Sequence, residues 1–186
     1  MHRRLLISAL ACWPAARLLA QDGEPRPRHK ISAGELHKAM SARFPVRFGL
    51  AGLLELQVSA PALLLLPARN RLGASLQAQA SGPALQRTQP GELDLLFAVR
   101  YEAADRSLRA HGPEILDVRL PGLPADTVLA LRTLLPAIAR EVVGEVVLHK
   151  FSPGELALTD TMGIEPDQLT VVDDGLVVEF RQKPLR

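Results

Sequence analysis

Residues 126–147, DTVLALRTLLPAIAREVVGEVV, constrain this chain more than any other stretch. On a helical wheel Val128, Leu131, Leu135, Ile138, Val142 and Val146 fall within roughly 100°. Leu129, Pro136, Val143 and Val147 widen the apolar arc to about 180° by the same geometry. Arg140, Glu141 and Glu145 share the remaining side with Thr133 and Ala137, and Arg132 has to reach from inside the arc to water. These charges argue against a lipid span. A pair of alternating strands fails too, because Leu131, Leu135 and Val143 would face the same way as Thr133, Glu141 and Glu145. With Asp126 as N-cap, the stretch predicts one helix of about 22 residues, roughly 33 Å long, bent where Pro136 removes a backbone donor. A surface helix needs only the narrow stripe, so the wide arc predicts a surface that curves around it.

That surface is supplied upstream, where the apolar period changes to two. Leu54, Leu56, Val58 and Ala60 alternate with polar residues; so do Leu72, Ala74, Leu76, Ala78 and Ala80. Leu93, Leu95, Phe97, Val99 and Tyr101 form a third run, and Leu116, Val118 and Leu120 a fourth. Turn residues bound the runs, including Ser81-Gly82-Pro83, Pro90-Gly91 and Pro121-Gly122. Short turns predict an antiparallel meander. Ala62–Leu66, between Pro61 and Pro67, is apolar on both faces and reads as an edge or buried strand. Before the meander, Ser32 and Glu35 make a capping box, with Ile31 placed to staple onto Leu36. Leu36, Ala39, Met40 and Phe44 share a face of this helix, which Pro45 ends. After the long helix, Leu148–Phe151 suggests a short strand. Ser152-Pro153-Gly154-Glu155 is a second capping box opening a helix that ends near Gly163. Asp173-Asp174-Gly175 joins two apolar runs as a hairpin.

The N-terminus reads as a targeting segment. Basic His2-Arg3-Arg4 precedes an apolar run, Leu5–Leu19, that is too short and interrupted for a span. Residues 1–20 are therefore assigned to a signal, 21–30 to a polar, proline-bearing tether, and 31–186 to a single domain. Sec export to the periplasm is expected, with a twin-arginine route left open by Arg3-Arg4. Membrane contact stays open by two means, an uncleaved signal or a lipid on Cys12. The signal holds three arginines and no acid. Its loss takes Lys+Arg from 22 to 19 against 20 Asp+Glu, a net charge of about −1 in place of +2. The basic pI thus belongs mostly to the signal, which argues against a nucleic-acid partner. A chain cut after Ala20 has no cysteine and no disulfide.

Catalytic signatures are lacking. There is no G-x-S-x-G, no P-loop and no usable cysteine, and no cofactor is indicated. His29, His37, His111 and His149 show no pair at ligand spacing, so no metal site is expected. Asp94 with Glu102, and Glu114 with Asp117, read as solvent-facing strand positions. What remains is the apolar inventory. Either everything packs into a dry core, or small residues such as Ala74, Ala78 and Ala80 leave a groove for an acyl chain. Its candidate lining is Leu56, Val58, Leu76, Phe97, Leu131, Leu135, Ile138 and Val142.

The segments ISAGELHKAM, VRLPGLPADTVLALRTLLPAIAREVVGEVV and GIEPDQLTVVDDGLVVEF, in this order around a four-strand meander, resemble the YceB-type bacterial envelope lipoproteins. TLLP at Thr133–Pro136 and G-I-E at Gly163–Glu165 are the most specific elements, and the resemblance spans roughly residues 30–181. It implies a tubular lipid-binding fold similar to that of bactericidal/permeability-increasing protein, where a curved antiparallel sheet wraps a long helix and lipid lies between. It supplies no catalytic residues. Family members usually end their signal in a lipobox cysteine, whereas Cys12 comes early. The expectation is an α+β protein with a strongly curved sheet around one long helix, a short N-terminal helix and a C-terminal helix plus hairpin. Its expected role is a non-enzymatic periplasmic protein binding a lipid or other apolar molecule. The alternative is a structural or interaction module with a dry core, whose protein partner is unknown.

Overall fold

The computed structural model describes residues 26–50, 54–83 and 85–183; the signal segment and Cys12 lie outside them. In chain order the elements are β1 (Arg28–Ser32), α1 (Ala33–Ser41), β2 (Val46–Leu50), β3 (Leu54–Leu66), β4 (Arg71–Ser81), β5 (Gln89–Glu102), β6 (Ser107–Arg119), α2 (Ala125–Val142), β7 (Val146–Lys150), α3 (Pro153–Thr161), β8 (Ile164–Val172) and β9 (Gly175–Gln182). Strands β2-β3-β4-β5-β6-β7 pair in that order into one antiparallel sheet, and β1-β9-β8 form a second. The large sheet is a strongly curved half-barrel.

The curvature has identifiable causes. Alternation sends Leu56, Val58, Leu72, Ala74, Leu76, Ala78, Leu93, Leu95 and Phe97 to one buried face, and the alanines let that face close on itself. Register shifts interrupt the β3–β4, β5–β6 and β6–β7 ladders, and bulges increase local bend and twist. The shift between Ser59 and Ala62 falls at Pro61, which has no N–H to offer a ladder. The sequence separates Ala62–Leu66 from the preceding run; the structure makes both one 13-residue strand bent at the proline. α1 packs against both β3 and β7, and α2 against both β6 and β2. Each pair lies four strand spacings apart in the sheet, about 19 Å if it were flat. A helix about 10 Å across touches both only because the sheet bends.

The long helix departs from expectation. α2 runs from Ala125 to Val142, 18 residues instead of about 22, and Val146 and Val147 belong to β7. Gly144 ends it, with φ +59° and its N–H bonded to the Ala139 carbonyl; glycine is the residue that takes this left-handed turn cheaply. Pro124, not Asp126, occupies the N-cap position, and Asp126 sits in the first turn. Leu131, Leu135 and Ala139 are buried in a single stripe, while Leu129 is 67% and Leu134 50% exposed. Val143 continues the buried stripe; Val128, Ile138 and Val142 are half-buried, and Leu129 of the widened arc faces out. α2 meets β6 and β2 of the curved sheet through its buried stripe and leaves Leu129 and Leu134 on its outer side. Arg132 reaches out, as its position requires, and donates to the Val118 carbonyl at 2.9 Å.

α1 has the capping box expected of it: the Glu35 N–H donates to Ser32 Oγ, and Glu35 accepts from the Ser32 N–H at 2.9 Å. Ile31, Leu36 and Met40 are buried. The helix stops at Ser41, short of Phe44. Residues 28–30, assigned to the tether, form β1 and pair with β9; five residues with one buried apolar side chain give too little period to read. The second capping box, Ser152 with Glu155, opens α3, and the hairpin turns at Asp173-Asp174 with Val172 opposite Gly175. Asn70 ties the sheets together. Its amide donates to the Leu169 carbonyl at 2.9 Å and accepts from the Val171 N–H at 2.7 Å, closing part of the outer edge of β8.

Candidate functional site

The eight residues proposed from sequence to line a groove divide in two. Leu56, Val58, Leu76, Phe97, Leu131 and Leu135 meet in one core, none more than 3% exposed. Ile138 is partly buried against that core, and Val142 is half-buried near the end of α2. Sheet and α2 meet here through buried side chains.

An open apolar groove lies elsewhere, beside α1. It has a volume of ≈ 800 Å³ and is lined by Ala33, Gly34, His37, Ala62–Leu66 and Asp173. β2 pairs with β3 only as far as Val58. Beyond the bulge, 62–66 therefore has a strand neighbour on one side only among the described residues, in β4. Leu63 and Leu65 pack partly on the core. Leu64 and Leu66 lie on the outer face over Gly73, where an added Cβ would stand 3.1 Å from Leu64 Cβ and 3.2 Å from Leu66 Cδ1. All four leucines are half-buried. His37, expected to face solvent, does so, but its Nε2 lies 2.9 Å from the Pro61 carbonyl and fixes α1 to the bulge. Sequence reasoning read Ala62–Leu66 as a strand and missed it as a lining. The signal was there in the apolar character of both its faces, which one-sided burial cannot satisfy.

Of the carboxylates expected to face solvent, Asp94 does not, its side chain being 13% exposed; Glu102 pairs with Arg100 and Glu114 with Arg71. Arg119 holds Glu92 at 2.8 Å, Asp94 at 2.9 Å and Asp117 at 2.7 Å. Arg109 holds Asp105 and, at 3.0 Å, Glu145. Burial pushes the Asp94 carboxyl up, but the hydrogen bond from Arg119 outweighs it and leaves it below the usual range. Hydrogen bonds with Arg119 hold Asp117 low, and those with Ser107 and Arg109 hold Asp105 low. Carboxylates held ionised by fixed cations serve poorly as general acids.

A third cluster joins residues remote in sequence. His29 of β1, His149 of β7 and Glu155 of α3 each offer a ligand atom within 4.8 Å of the others. No spacing rule could have paired these histidines, since β1 and β7 belong to different sheets. Phe151 lies beside both, its ring centroid 5.5 Å from His29 and 4.8 Å from His149, whose own centroids are 5.7 Å apart.

No protein-family model matches this chain, and no curated protein matches it. Among the described residues no helix is long and apolar enough to cross a membrane.

Proposed function

We propose that this chain is a non-enzymatic protein of the bacterial envelope, of YceB type, that holds the acyl chain of a lipid in the groove between α1 and β3. The observation that carries this is the run Ala62–Leu66, whose leucines are neither sealed in the core nor covered by a neighbouring strand. Leu63 and Leu65 lean inward and Leu64 and Leu66 outward, so a chain laid along this edge meets methyl groups from both faces. The volume falls in the usual range for small-molecule sites, about 300–1,000 Å³, and such sites are mostly apolar with few polar groups. Here His37 and Asp173 are the polar members. The interface under α2 is a less open location, because a ligand there must part six packed side chains. The arginine-held carboxylates favour a role without catalysis. Export to the periplasm and membership of the family rest on the sequence motifs.

Binding of a fluorescent fatty acid tests the proposal. Ala62 is exposed at the groove, so Ala62→Trp fills it without touching the core. Uptake by the wild-type chain that falls at least about tenfold in Ala62→Trp, with the melting temperature unchanged, is the expected result. Loss in Ile138→Trp instead would move the ligand under α2. An unaffected Ala62→Trp would remove the groove.

The same stretch supports the alternative, a structural role with a dry core, because β3 at 62–66 pairs with a strand on one side only among the described residues. Such an edge accepts an extended peptide as an added strand. A peptide that competes for the edge while no fatty acid is taken up would establish that role.

A further inference from the structure

We infer that His29, His149 and Glu155 form a binding site for a divalent zinc-class metal ion that clasps the two sheets together. His149 Nε2 lies 3.1 Å from Glu155 Oε1, and His29 Nε2 lies 3.9 Å from the same oxygen. Tetrahedral ligation at Zn–N and Zn–O distances of about 2.0–2.2 Å separates ligand atoms by about 3.3 Å. The His149–Glu155 pair is already near that spacing, the His29–Glu155 contact has to close by about half an ångström, and the two imidazole nitrogens, within 4.8 Å of each other, by at most about 1.5 Å. Two imidazoles and one carboxylate are a donor set that suits zinc, with water completing the fourth position. That position is reachable, since the side chains of His29 and Glu155 are 35% and 33% exposed.

The surroundings preorganise the donors. Glu155 uses Oε2 for its capping box, accepting from the Ser152 N–H and hydroxyl at 2.7 Å each. This fixes the carboxylate and leaves Oε1 aimed at the histidines. Phe151 wedges against both imidazoles and restricts their rings. The N-terminus of α3 opposes a cation with about half a charge, which the Glu155 carboxylate exceeds. His29 lies in β1 and His149 in β7, so one ion bonds the three-stranded sheet directly to the half-barrel. The cluster is distinct from the groove, and the two proposals stand or fall separately.

Tag-free full-length chain titrated with Zn²⁺ by calorimetry, and with Co²⁺ by visible absorption, gives the test. We expect one Zn²⁺ per chain, a Co²⁺ spectrum with the strong bands of a four-coordinate site, and a melting temperature raised by Zn²⁺ and restored by chelator. Glu155→Gln keeps the capping box while removing the anionic ligand, and His29→Ala removes a half-exposed imidazole. Each should weaken binding at least about tenfold, the size that even outer-shell changes reach at metal sites. Binding equally tight in both variants would place the metal elsewhere and overturn the assignment. So would a wild-type chain that takes up no Zn²⁺ or Co²⁺.

Discussion

At the scale of single residues, Gly175 shows how closely the small sheet is packed. It opens β9 where the chain crosses the end of β1. A Cβ there would lie 2.1 Å from the Ile31 carbonyl oxygen, with φ at +156°. Gly175→Ala is therefore expected to cost more than about 1 kcal/mol, read as a fall in the denaturation midpoint at unchanged slope; a neutral substitution would mean that β1 does not pack there. The hairpin was legible, because Asp-Asp-Gly between two apolar runs has a turn mechanism. The reason for the glycine was not, because β1 is too short to announce itself. The same limit hid the role of Asn70, which bonds backbone far away in the chain, and of His29, which meets His149 only once both sheets exist. Capping boxes were legible at both helices, since their partners are three residues apart.

At the scale of elements, α2 makes a sharp contrast between neighbouring leucines. Leu135 is 1% exposed and Leu129 67%. Leu135→Ala should lose about 2–5 kcal/mol, as buried leucines do, while Leu129→Ala should stay within about 0.5 kcal/mol. A large loss at both, measured by chemical denaturation, would mean that a surface encloses the helix on most sides after all. Sequence periodicity located this helix and its buried stripe but not its end. Gly144 is a stop signal inside an apolar run, and after it Val146, Val147 and Leu148 already alternate buried, exposed, buried. The helix period, carried through the glycine, counted Val146 and Val147 as helix and so overstated the arc. The meander was legible because its apolar residues recur at period two between turn residues, although register shifts break the ladders and Leu116 of the fourth run is 44% exposed. The bulge at Pro61 was not, because a proline reads as a break until a partner strand shows that pairing resumes beyond it.

At the scale of the molecule, the two sheets and three helices carry a mesh of ionised carboxylates. Glu35, Asp94, Asp105, Asp117, Glu145, Glu155 and Asp174 all lie below their ordinary values, through hydrogen bonds and arginine or lysine neighbours. A depressed folded-state pKa adds stability above the unfolded value, and that stability is lost as pH falls through the folded one. The melting temperature should thus hold from neutral pH to about 5 and drop below about 4. Most of these groups are exposed, so 1 M salt should shrink the drop; a flat profile to pH 3 would show that the pairs contribute nothing. The half-barrel was foreseen in outline, and the place where it stays open was not: the apolar surface left uncovered lies against the short helix α1. The central claim is that an acyl chain occupies this opening, and mass spectrometry of the protein purified from periplasm without detergent tests it most directly. The account predicts a lipid bound near one per chain, displaced from Ala62→Trp. A wild-type protein that arrives empty and takes up no added fatty acid would contradict it.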